Sequence, residues 1–249
     1  VTKLSAFAEV QAALERGQFD EVIARTGEML ATRPGDDAAH ELRARALLAL
    51  GRLDEAAREV ADAVRLDPDE VRYRELLAQV LAARGAHRDA AVEFGTLARD
   101  DPRQGDWTVA EARQRLDAAQ PEMSVDAARR AVRLDGDDFA AQLALARGLV
   151  RTGDARGALD AALRAARLHP GDPEAREALA DARWLAGDAR AALGAFAALA
   201  GDLPRNERGR VLRKALVLYR QRATGAGRIL AALPPFFAFA LRHGWVQVP

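Results

Sequence analysis

The chain of 249 residues contains no cysteine, which excludes disulfides, thiolate metal sites and thiol nucleophiles. A cysteine-free chain suits a reducing cytoplasm, and a cytoplasmic location is expected. Lysine is nearly missing too: only Lys3 and Lys214 occur, and every other basic residue is arginine. Together with the abundance of alanine, this is the signature of a GC-rich, bacterial genome, so a single arginine is weak evidence of function. Neither charge sign is in excess, with 37 basic and 37 acidic residues, and no global field would steer the protein to nucleic acid or an anionic membrane. Aromatic residues make up 5%, and runs of Val, Ile and Thr are missing, which points to helix rather than sheet.

No stretch approaches the ~18 consecutive apolar residues of a membrane-spanning helix. The beginning, VTKLSAFAEVQAALERGQF, has its apolar stretch broken by Glu9 and Gln11, so no signal peptide is expected. A Val1 start fits a GTG initiation codon, which would make the chain a complete reading frame. The chemistry of catalysis is missing as well. His40, His87, His169 and His243 stand apart, with no metal-ligand spacing, and TGAGR at 224–228 lacks the pattern of a phosphate-binding loop. No enzyme activity, cofactor or metal is expected.

The dominant positive feature is a period of 34. Pro34, Pro68, Pro102, Pro170 and Pro204 share it, with Gly136 in the one vacant slot. Gly17, Gly51, Gly85, Gly153 and Gly187 form a second column, completed by Ala119. Two further columns hold small residues: Val22, Ala56, Ala90, Ser124, Ala158 and Ala192, and Val10, Ala44, Ala78, Ala112, Ala146 and Ala180. Between a proline and the next glycine, apolar residues recur at helical spacing, as in Leu42, Ala46, Leu47 and Leu50. Glycine takes the turn, where positive φ costs it little. A second helix follows, and the proline ends it. Alanine columns fall where two helices cross and their axes must come close. Each unit is thus an antiparallel helical hairpin that buries its apolar face only against its neighbours.

These columns resemble the tetratricopeptide repeat, clearest in GRLDEAAREVADAVRLDP and GAHRDAAVEFGTLARDDP. The resemblance covers residues 3–206 as six repeats, at 3–36, 37–70, 71–104, 105–138, 139–172 and 173–206, and leaves 207–249 as a capping segment. It implies an all-α fold, a right-handed superhelical solenoid of antiparallel helix pairs with C-terminal capping helices. The fourth unit departs from the pattern, with Pro121 in its turn and Gly136 in the proline slot. A distorted hairpin, or a shorter second helix starting near Ser124 as its N-cap, is expected there, and a hinge is one reading of it.

The resemblance also implies that first helices line a concave groove that binds a partner protein or peptide. Groove positions are taken by Phe7, Gln11 and Leu14 in unit one, by Glu41, Leu42, Arg45 and Leu48 in unit two, and by Arg72, Glu75 and Gln79 in unit three. Val109, Arg113, Leu116 and Asp117 take them in unit four, Leu143, Arg147, Val150 and Arg151 in unit five, and Glu174, Glu177, Asp181 and Trp184 in unit six. Arg113 and Arg147 hold one slot in successive units, with Arg151 a helical turn on; stacked guanidiniums suit a carboxylate. The plainer reading is that Asp117 neutralises Arg113 one turn away. Arg45, Arg113, Arg147, Arg151 and Trp184 are the candidate partner-binding residues, Trp184 either as an anchor or as packing between units. Tyr73 and Trp107 are expected to pack. The family's chaperone-tail clamp uses a pattern of Lys and Asn, and no groove slot here holds asparagine.

The end of the chain offers two alternatives. Residues 205–228 carry eight basic residues and one acid, with Val211, Leu212, Ala215 and Leu216 spaced as one face of a helix. A helix that caps the last repeat is the main reading, and nucleic-acid binding through this basic stretch is a lesser one. Phe236, Phe237 and Phe239 follow in an apolar tail, a candidate interface for docking in cis, for homo-oligomerisation, or for a partner or membrane surface.

Overall fold

The computed structural model describes residues 3–223, which form thirteen helices and no strand. They alternate in pairs: α1 (Lys3–Glu15) with α2 (Phe19–Thr32), α3 (Asp37–Ala49) with α4 (Leu53–Leu66), and α5 (Val71–Ala83) with α6 (His87–Asp100). Next come α7 (Gly105–Asp117) and α8 (Pro121–Leu134), α9 (Phe139–Thr152) with α10 (Ala155–Leu168), and α11 (Pro173–Leu185) with α12 (Ala189–Asp202). A longer α13 (Arg205–Ala223) ends the described chain. The described residues divide into two compact units, the first ending at Met123 and the second beginning at Ser124.

The turn inside each pair is set by its central residue. Gly17, Gly51, Gly85, Gly153 and Gly187 adopt φ of +71° to +92°, and Ala119 takes the same left-handed turn at +57°. At Gly51 the amide bonds to the Leu48 carbonyl, and that of Arg52 reaches back to Leu47, which closes the helix end in a Schellman arrangement. Three of the turns between pairs share a brace. His40 Nε2 lies 3.0 Å from the Pro34 carbonyl, Arg74 donates to the Pro68 carbonyl at 3.2 Å, and Gln142 donates to the Gly136 carbonyl at 2.7 Å. In each case a polar side chain six residues on holds the turn carbonyl. Any residue offers a carbonyl, so replacing proline by Gly136 keeps the brace intact.

The expectation for the fourth pair is corrected. α8 starts at Pro121 and runs 14 residues, as long as the other second helices. Proline at the start of a helix has no amide to leave unpaired and its fixed φ is already helical. Ser124 is no cap; it lies inside α8, fully buried.

In the first unit, Val10, Val22 and Leu42 join α1, α2 and α3, while Leu47, Val60 and Leu76 join α3, α4 and α5. In the second, Leu149, Ala161 and Ala178 link α9, α10 and α11, and Ala180, Phe196 and Val211 link α11 and α12 to α13. Every core thus combines one pair with the first helix of the next. The alanine columns are wholly buried, and Tyr73 packs as expected, with its hydroxyl donating to Asp37 at 2.7 Å. Trp107 packs beside Phe94 and Leu97.

Candidate functional site

First helices of neighbouring pairs lie side by side, α3 against α5 and α9 against α11. Between α3 and α5 is an open hollow of ≈ 450 Å³. Leu48 and Leu76 supply its apolar floor, Arg45 and Arg72 are its cations, and Glu75 and Gln79 complete the wall on α5. Glu41 lies beneath, with its side chain only 5% exposed, and binds Arg45 at 2.8 Å. Arg72 is held loosely. Its nearest carboxylates are Glu70 at 3.6 Å and Glu41 at 3.7 Å, it donates to the Tyr73 hydroxyl at 3.2 Å, and half of its side chain is exposed.

On the corresponding surface of the second unit, the charges on α11 pair with neighbouring helices. Arg147 on α9 meets Glu174 on α11 at 3.2 Å. Glu177 receives Arg210 in two bonds of 2.9 and 2.7 Å, and Lys214 in a third of 2.9 Å. Lys214 also binds Asp181 and lies 5.8 Å above the Phe196 ring. Burial works to raise the Glu177 carboxyl, but the bonds from Arg210 and Lys214 outweigh it and hold the group below its ordinary value. Asp181 moves the other way: burial raises it, and Lys214 offsets only part of that.

The residues singled out from sequence therefore divide. Arg45 borders the hollow, and Arg147 is committed to Glu174. Arg113 and Arg151 are exposed, Arg113 in the first unit and Arg151 in the second. The expected pairing of Arg113 with Asp117 does not form among the described residues, since both side chains stay in water where such a pair gains little. Trp184 is half-buried and packs on the Phe196 and Val211 cluster. Phe236, Phe237 and Phe239 lie outside the described residues. In α13, Arg210 and Lys214 are spent on acids of α11, which removes two cations from any stripe for phosphates.

Sequence profiles described as "Tetratricopeptide repeat" match residues 13–80 and 139–182. The chain carries tetratricopeptide repeats. No curated protein matches it in sequence. Among solved structures it is similar to "MamA RS-1 ArsTM double mutant", with a TM-score of 0.63 and 19% identity over 68% of this chain and 96% of that one. "YrrB: a TPR protein with an unusual peptide-binding site" is similar at 0.58 and 17%, over 76% of this chain and 97% of that one. Yeast Tom70 is similar at 0.56 and 19%, over 84% of this chain and 45% of the other. These likenesses fit an all-α helical repeat solenoid. No helix among the described residues is long and apolar enough to cross a membrane.

Proposed function

We propose that this chain is a non-enzymatic protein-binding scaffold that takes a peptide or helix of a partner on the surface made by its first helices. The six-repeat division over 3–206, with 207–249 as its end segment, belongs to this reading. The observation that carries it is the open hollow between α3 and α5, which has an apolar floor between polar walls. Such a site favours one apolar side chain and orients it by its polar neighbours. A structural neighbour, YrrB, is described as having an unusual peptide-binding site, which supports the reading at the level of fold. Binding here is an equilibrium; no bond is made or broken.

The missing cysteines make a clean test possible. A single dye is attached through Gln79→Cys on α5 or, as a control, through Val92→Cys on α6, where Val92 is 52% exposed. Peptides selected from a random 12-residue phage library against the full chain are then titrated in. They should change the dye at position 79 and leave the one at 92 alone. A library that yields no binder, or a response confined to position 92, would overturn the reading.

A further inference from the structure

The two units carry the same two slots at a spacing of three repeats. Arg147 corresponds to Arg45, and Glu174 corresponds to Arg72. Across α9 and α11 these slots hold opposite charges, and Arg147 and Glu174 close on each other at 3.2 Å. Across α3 and α5 both slots hold arginine. One buried carboxylate, Glu41, serves both, at 2.8 Å from Arg45 and 3.7 Å from Arg72. The first unit has no carboxylate in the slot of Glu174, and its two arginines share Glu41 beside the hollow floored by Leu48 and Leu76.

We infer that this hollow reads an acidic side chain, aspartate or glutamate, set close to one leucine-sized apolar residue in the partner segment. The inference rests on the scaffold reading and names the chemistry of its ligand. A guanidinium is always charged and offers paired donors that match a carboxylate. Arg72 is held by long ion pairs to Glu70 and Glu41, by the Tyr73 hydroxyl and by the Tyr73 ring, and half of its side chain is exposed, so an incoming carboxylate can bind its free donors without displacing a close ion pair. Glu174 shows which group satisfies the slot pair from within the chain, a side-chain carboxylate. The hollow is open rather than closed off, so a segment can run through it instead of ending in it. Leu48 and Leu76 take the apolar neighbour, and the incoming acid is drawn to the arginines and away from Glu75 on the same wall.

The test uses the full chain and the random 12-residue phage library. Selected peptides should share an Asp or Glu within a helical turn of Leu, Ile, Met or Phe. Changing that acid to its amide should weaken binding roughly tenfold or more, as expected for hydrogen bonds to a charged group. Arg72→Glu installs the pair already formed by Arg147 and Glu174, so the variant should fold, as circular dichroism would verify, and lose a similar factor. Arg72→Gln, which removes charge without adding an acid, should fall between. Selected peptides without an acid, affinity unchanged in Arg72→Glu, or a requirement for a free C-terminal carboxylate would each overturn the inference while leaving the scaffold reading in place. A library with no binder at all would remove both.

Discussion

Replacing Glu177 by glutamine should loosen α13 from α11. Glutamine keeps the shape and one oxygen but loses the charge that holds three bonds from Arg210 and Lys214. Glu177 is 7% exposed, whereas the side chains of Arg210 and Lys214 are 60% and 36% exposed and regain water when released. Well-shielded bonds to a charge contribute about 1.5–3 kcal/mol each and exposed pairs at most about 1, so a loss of about 2 kcal/mol in total is expected. Asp181→Asn provides the contrast: burial opposes its charge and raises its pKa, so removing that charge should cost less than Glu177→Gln does. Urea unfolding gives the stability, and hydrogen exchange of the α13 amides locates the loss.

The pH dependence has a definite sign. The Glu177 carboxyl is held below its ordinary value of 4.5, so its contribution is complete above that value and is lost as pH falls through the lowered one. Asp181, raised above 3.8, acts in the opposite sense and recovers stability as it takes up its proton. The gap between wild type and Glu177→Gln should therefore be full at neutral pH and close in acid. Equal urea midpoints at neutral pH with unchanged α13 exchange, or a gap that persists undiminished into acid, would refute the reasoning.

Two further outcomes are expected from backbone and packing. A Cβ on Gly148 would sit 2.9 Å from Val125 Cγ2, a stiff branched group, so Gly148→Ala should destabilise by about 1 kcal/mol despite alanine's better helix propensity. Gly194 in α12 has nothing within 4 Å of that position, and Gly194→Ala should stabilise by about 1 kcal/mol; thermal unfolding separates the two. Ala119 at φ +57° bears a left-handed cost of about 1–2 kcal/mol, partly offset by the greater freedom of glycine when unfolded. Ala119→Gly should thus raise the melting temperature slightly, and a fall would show that this turn is unstrained.

The helix pairs, their turns and their buried alanine columns were legible in the sequence because each depends on residues close in the chain. Gly51 needs only its own φ, and Ala44 only its place on one helix face. The same local reasoning misjudged the fourth pair. Pro121 has the sequence look of a disruption, yet its position makes it a helix start, and Ser124 has that of a cap although it is buried. The candidate arginines were harder. Arg113, Arg147 and Arg151 stood out by their spacing, yet spacing is silent on which of them already has a partner. Arg72 was only one groove position among several. The signal that would have raised it was present: the comparison of Arg45 and Arg72 with Arg147 and Glu174, three repeats on.

Repeat length, helix order and turn conformation follow from backbone geometry and from bonds that span four or five residues, so the chain specifies them locally. Which charges are spent and which are left over follows from distances between helices. Glu177 meets Arg210 across 33 residues of sequence, and Arg147 meets Glu174 while Arg45 finds another arginine in the matching slot. Ion pairing falls off with separation and with water between the partners, and both are set only once the helices have packed.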